Sequence, residues 1–250
     1  MKIKVCGTND AVFAAEASRL GVDYLGFIFE PSSPRFVTPE KARSICSSLE
    51  QRHKALDSSA SLGTRFARLG RAGSCDRFAA RPAASANPTP SARAHLPMGR
   101  VHPQGADTRL CVENKPVLVG VFVRETPAEI IATMRRVGLD VVQLHRRATG
   151  EDVAALKAAG YEVWTLAGGA EGDGVLFDSS HGDGDTAFRT GGFKSILAGR
   201  IGVENVAKAL ALKPDIIDVN SSIETQPGVK STILLAAFLA EFVKHLKSDA

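Results

Sequence analysis

Short continuous apolar runs recur along this 250-residue chain and alternate with stretches of helical spacing. Eight runs have strand character, at residues 3–6, 24–29, 117–123, 141–145, 162–165, 175–178, 195–198 and 216–220. The run Val117-Leu118-Val119-Gly120-Val121-Phe122 is apolar throughout rather than alternating, as expected of a parallel strand buried on both faces. Where amphipathic spacing is legible it predicts helices over 10–20, 39–49, 127–137, 151–159, 203–212 and 231–246, several opening on Pro, Asp, Glu or Ser. The longest helix follows the last strand. This order predicts an α/β fold of the (β/α)8 type, a TIM barrel forming a single domain, in preference to an open doubly wound sheet.

Residues 50–115 break the cadence with an Ala-, Arg-, Ser- and Pro-rich composition and little sustained periodicity. They read as a low-complexity, disordered insertion after the second helix, leaving a barrel of residues 1–49 and 116–250. Charge supports that division. Residues 51–115 hold 11 Lys/Arg against 4 Asp/Glu, whereas the rest of the chain holds 20 against 23. The net charge of +4 therefore belongs to the insertion and gives no basic folded face for nucleic acid.

The four cysteines, Cys6, Cys46, Cys75 and Cys111, show no CxxC or Cys/His metal spacing and read as reduced thiols of a cytoplasmic protein. The first residues enter a strand pattern directly, with no leader-like segment, and no apolar stretch approaches the ~18 residues of a membrane span. Secretion and membrane insertion are not expected.

Barrel enzymes keep their chemistry at the C-terminal ends of the strands, and there the runs end on Cys6 and Asp178. A strand-end Cys is often a small buried hydrophobe, and Asp178 can equally cap a turn with Ser179 and Ser180. Gly7 after Cys6 allows close approach of backbone or ligand. The tract Gly182-Asp183-Gly184-Asp185 suits either a loop over a ligand or a surface turn. Phosphate sites of such barrels use the loops after strands seven and eight, which here offer Gly199, Arg200, Asn220, Ser221 and Ser222. Arg200 suits a charge-assisted bond to phosphate, although an Arg after a strand is also commonly a solvated surface residue.

Seven motifs occur in an order and spacing that resemble the phosphoribosylanthranilate isomerases of tryptophan biosynthesis. They are Lys4-Val5-Cys6-Gly7, Gly26-Phe27-Ile28-Phe29, Ser33-Pro34-Arg35, Gly120-Val121-Phe122-Val123, Val142-Gln143-Leu144-His145, Leu176-Phe177-Asp178 and Pro227-Gly228-Val229-Lys230. Everything outside residues 50–115 is covered. The resemblance implies conversion of N-(5-phosphoribosyl)anthranilate to 1-(2-carboxyphenylamino)-1-deoxyribulose 5-phosphate, an Amadori rearrangement. It implies Cys6 as base, Asp178 as acid, Arg35 as a bidentate holder of the anthranilate carboxylate, and Gln143 and His145 as substrate-binding residues. It implies a small-molecule substrate, no cofactor, no metal, no nucleic acid, no membrane, and a monomer or homodimer.

The resemblance has departures. The family has paired glycines after strand seven, a Ser-Gly after strand eight and a Gly after its QLH motif; this chain has Gly199-Arg200, Ser221-Ser222 and Arg146. The family's Gly-rich stretch after strand six is altered to residues 182–189. Two alternatives stay open: another phosphosugar isomerase barrel, which in the histidine-pathway relatives has Asp in place of Cys6, or a non-catalytic phosphate-ligand-binding barrel with a basic docking segment.

Overall fold

The computed structural model describes residues 1–69, 115–179 and 188–248. The chain divides into two compact units, Met1–Lys54 with Arg109–Ala250, and Ala55–Thr108. Along the chain the elements run β1 (Lys2–Val5), α1 (Ala11–Arg19), β2 (Tyr24–Ile28), α2 (Pro39–Leu69), β3 (Val117–Phe122), α3 (Pro127–Val137), β4 (Val141–Leu144), α4 (Gly150–Ala158), β5 (Glu162–Leu166), β6 (Gly174–Asp178), β7 (Lys194–Ala198), α5 (Val206–Ala211) and β8 (Ile216–Val219). A 3-10 turn (Ser221–Ile223), the short strands β9 (Glu224–Gln226) and β10 (Val229–Lys230), and α6 (Thr232–Ser248) follow. Strands β1 to β8 pair in parallel in sequence order and β8 closes onto β1, so the sheet is the expected barrel.

The local signals are ordinary ones. Asp10 accepts the backbone N–H of Phe13 at the start of α1. Thr126 and Glu129 form a capping box on α3, as do Thr149 and Asp152 on α4, and Gly138 ends α3 in the left-handed conformation. The helices pack their apolar faces on the outside of the barrel. Inside it, Tyr24, Val119, Val141, Trp164, Leu176, Ile196, Ala198 and Ile216 form a separate cluster that fills the interior below the mouth. Trp164 is fully buried there, edge-on to Tyr24 with ring centroids 5.1 Å apart. Trp164→Ala is accordingly expected to cost about 3–5 kcal/mol in urea unfolding, and a loss below about 1 kcal/mol would contradict that packing role.

One expectation needs correction. Helix α2 does not stop at residue 49 but continues to Leu69, so the stretch read as an insertion from residue 50 begins as helix. Its Ser-, Ala- and charge-rich composition reads as a loop, yet Ala, Arg, Gln and Lys are good helix formers. The link between β5 and β6 holds no helix, only the seven residues 167–173. Residues 70–114, with Cys75 and Cys111, and the tract at 182–185 lie outside the described residues. No helix among the described residues is long and apolar enough to cross a membrane.

Candidate active site

The C-terminal strand ends enclose a cavity of about 440 Å³. Cys6, Arg35, Gln143, His145, Asp178, Gly199, Arg200, Asn220 and Ser221 all line it. Barrel closure thus brings together residues separated by most of the chain. Ile28, Val121, Leu176 and Ala198 supply the apolar part of the wall, which suits an aromatic ring.

Cys6 is buried, 6% exposed, in a small apolar cluster with Ile28 and Val121. Two residues earlier on the same face of β1 sits Lys4, fully buried, whose Nζ donates to Asp218 Oδ2 at 2.7 Å and whose charge acts on the Cys6 thiol. Gly26 makes this possible: a Cβ there would meet Cys6 Sγ at 3.2 Å and Lys4 Cε at 3.3 Å. Burial pushes the Cys6 thiol above its usual range, with Lys4 and Lys230 pulling it back down. Burial works against the Lys4 ammonium, but the Asp218 carboxylate more than offsets it and holds Lys4 as a cation. The site therefore contains a thiol of raised basicity beside a fixed positive charge.

Arg35 reaches the cavity from the loop after β2. The expected carboxylate fork is already engaged along one edge, with Nε and Nη2 donating to Glu224 Oε1 and Oε2 at 2.8 and 2.7 Å. Only its remaining edge is available to a ligand carboxylate. Gly7, at φ 73°, gives the guanidinium stem its room: a Cβ would lie 2.8 Å from Arg35 Cδ. Glu224 also pairs with Lys230, whose Nζ donates to Glu224 Oε1 at 2.8 Å and to Asn220 O and Oδ1 at 2.9 and 2.7 Å. Burial opposes the Glu224 carboxylate, but its two cations outweigh that and hold it below its usual range. The Pro227-Gly228 turn brings Lys230 in by touching the loop that carries Arg35, since a Cβ on Gly228 would lie 2.3 Å from the Pro34 carbonyl.

Across the cavity, Asp178 ends β6 with Oδ2 4.0 Å from His145 Nε2. Gly199, Arg200 and Ser221 form the rim after β7 and β8. Arg200 holds a left-handed backbone at φ 54°, which explains why glycine serves well at this position and why an arginine there is strained. Two candidates take other partners. Ser222 is not in the cavity wall, and its hydroxyl donates to the Ile201 carbonyl. The Asn220 side-chain oxygen accepts from Lys230. Arg146 leaves the mouth open, because its guanidinium turns to Asp152 at 2.6 and 2.9 Å at the start of α4. Among the described residues no group of three or more His, Cys, Asp or Glu is placed to hold a metal ion.

Sequence reading did not single out Lys4, Asp218, Glu224 or Lys230 as site residues. Lys4 and Asp218 did carry a signal: Asp218 is a charge inside an otherwise apolar strand, and Lys4 shares the face of Cys6 by the two-residue period. Their pairing emerges only when β8 meets β1, where the ladder sets Lys4 opposite Asp218.

Known proteins resemble this chain along most of its length. The sequence model of N-(5'phosphoribosyl)anthranilate (PRA) isomerase matches residues 99–241, more than half of the chain. An N-(5'-phosphoribosyl)anthranilate isomerase of Campylobacter jejuni is 25% identical over 98% of this chain and 100% of its own length. That of Maridesulfovibrio salexigens is 28% identical over 95% of this chain and 96% of its own. The crystal structure of phosphoribosyl anthranilate isomerase from Thermus thermophilus superposes with a TM-score of 0.64 at 25% identity, covering 98% of this chain and 99% of that one. Because that model spans more than half of the chain, the protein belongs to the N-(5'phosphoribosyl)anthranilate (PRA) isomerase family.

Proposed function

We propose that this protein isomerises N-(5'-phosphoribosyl)anthranilate to 1-(2-carboxyphenylamino)-1-deoxyribulose 5-phosphate, a step of tryptophan biosynthesis, with Cys6 as base and Asp178 as acid. The observation that carries the reading is that both groups line one cavity, on strands β1 and β6. The substrate is an aminoaldose. Its nitrogen lone pair opens the ribose ring as Asp178 gives a proton to the departing ring oxygen, leaving an iminium at C1. The Cys6 thiolate then removes the C2 proton, giving an enaminol that becomes the ketone as C1 is protonated. Lys4 favours the thiolate by charge, and the apolar wall keeps competing water from the iminium.

The remaining roles follow from charge and position. The open edge of Arg35 takes the anthranilate carboxylate, Gln143 and His145 contact the substrate near the reacting carbons, and Gly199, Arg200 and Ser221 hold the phosphate. Ser222 and Asn220 act there by tying the neighbouring loops together. The protein acts in the cytoplasm on a free small molecule, as a monomer or homodimer.

Arg200 offers a separable test. Arg200→Gly is expected to relieve the left-handed strain, adding about 1 kcal/mol in urea unfolding. It is also expected to raise KM for the phosphorylated substrate roughly tenfold through loss of a charge-assisted bond. An unchanged KM would remove Arg200 from the phosphate site. The reaction itself is tested by isolating the product, which should keep the substrate's mass and be reducible by borohydride as a ketone. Recovery of anthranilate alone would contradict the isomerase reading.

A further inference from the structure

Asp218 sits at the end of β8, 7% exposed and in the wall of the cavity that holds Cys6. One of its oxygens accepts from Lys4; the other, Oδ1, has no hydrogen-bond partner among the described residues. A buried ion pair is a poor device for stability, because desolvation consumes most of the attraction, and an unpartnered buried carboxylate oxygen adds a further cost. Both features make sense if a ligand brings the missing donor. The ladder register that sets Lys4 opposite Asp218 also sets Asp218 next to the strand carrying Cys6. A group contacting the carbon deprotonated by Cys6 therefore stands beside Asp218, and in the proposed substrate that carbon carries a hydroxyl.

We propose that Asp218 is a further catalytic residue, whose open oxygen accepts the proton of the substrate's 2-hydroxyl as the enaminol becomes the ketone. The inference rests on the isomerase reading above. The proton count requires an acceptor for the O2 proton, and the unpartnered oxygen of Asp218 in the cavity wall is placed to be it. Cys6 takes the C2 proton and returns one to C1, so the C2–H and S–H bonds break and the S–H and C1–H bonds form in turn. The ketone then needs the O2–H bond to break, its electron pair becoming the carbonyl π bond while the enaminol double bond takes up the C1 proton. Asp178 has meanwhile given its proton to the ring oxygen. One proton is thus left on Asp218 and one is missing from Asp178, and cavity water returns it once product leaves. Burial raises the affinity of the Asp218 carboxyl for a proton, with the Lys4 charge opposing, so it is a better acceptor than an exposed aspartate.

The test uses the full chain with two readouts. In turnover, Asp218→Asn is expected to lower kcat about a hundredfold or more while KM stays within about threefold. In binding, the borohydride-reduced product analogue, which keeps a 2-hydroxyl, is expected to bind wild type at least about tenfold more tightly than its 2-deoxy counterpart. Asp218→Ala should shrink that preference below about threefold. Should an unpaired Lys4 unfold these variants, Lys4→Gln/Asp218→Ala removes both charges together and should likewise shrink the 2-hydroxyl preference below about threefold. A kcat of Asp218→Asn within threefold of wild type, or a 2-hydroxyl preference untouched by the loss of Asp218, would overturn the proposal. Absence of turnover in wild type would instead sink the isomerase reading, and the binding readout would still decide whether Asp218 faces the hydroxyl.

Discussion

Cys6→Ser is expected to lower kcat by about a thousandfold or more, with an unfolding curve close to that of wild type. The substitution keeps size and shape, so the cluster with Ile28 and Val121 and the contact under Gly26 survive. What it removes is a group that ionises far more readily than a serine hydroxyl. Burial holds the Cys6 thiol above its usual value against the pull of Lys4 and Lys230, and the active form is the thiolate. A base with a raised pKa gains its active form as pH rises, so kcat/KM of wild type should climb from neutral into the alkaline range. Carboxymethylation of Cys6, located by peptide mass, should climb with it. Cys46 is pushed up to about 12 by burial, then by the charges of Asp140 and Glu50, so it should stay unlabelled over that range. A Cys6→Ser enzyme retaining a tenth of wild-type kcat would mean that another group takes the proton.

Asp178→Asn is expected to lower kcat by about two to four orders of magnitude with little change in KM, since the amide keeps the shape but has no proton to give to the ring oxygen. The two variants should differ in a second assay. Product incubated with enzyme in deuterated water exchanges its C1 hydrogens by the reverse of the last steps, for which Cys6 is needed and ring closure is not. Asp178→Asn should therefore keep that exchange, while Cys6→Ser should lose it. Loss of exchange in both would place Asp178 in the carbon proton transfer and contradict its assignment as the ring-opening acid.

The barrel was legible because a parallel sheet covered on both sides writes its strands as apolar runs, and each of the eight observed strands lies within one residue of its predicted run at either end. Helix ends were read well where a capping residue marked them, as at Thr126 and Thr149. They were misread where none did: α2 runs past residue 49 through a Ser-, Ala- and charge-rich stretch. Cys6 and Asp178 stood out because they end strands. The charges that support them did not, because their partners are distant in sequence: Lys4 meets Asp218 across 214 residues and Arg35 meets Glu224 across 189. Ser222 and Arg146 stand where the family has glycine, and the partners that turn their side chains aside, the Ile201 carbonyl and the Asp152 carboxylate, were not legible in the sequence.

The most direct measurement is the fluorescence of freshly generated phosphoribosylanthranilate after addition of the full-length wild-type chain. Enzymatic isomerisation predicts a loss with a turnover on the order of 1 to 1,000 per second, far faster than spontaneous hydrolysis and absent with Cys6→Ala or Asp178→Ala. A folded wild-type protein that leaves the decay at its spontaneous rate would contradict the account.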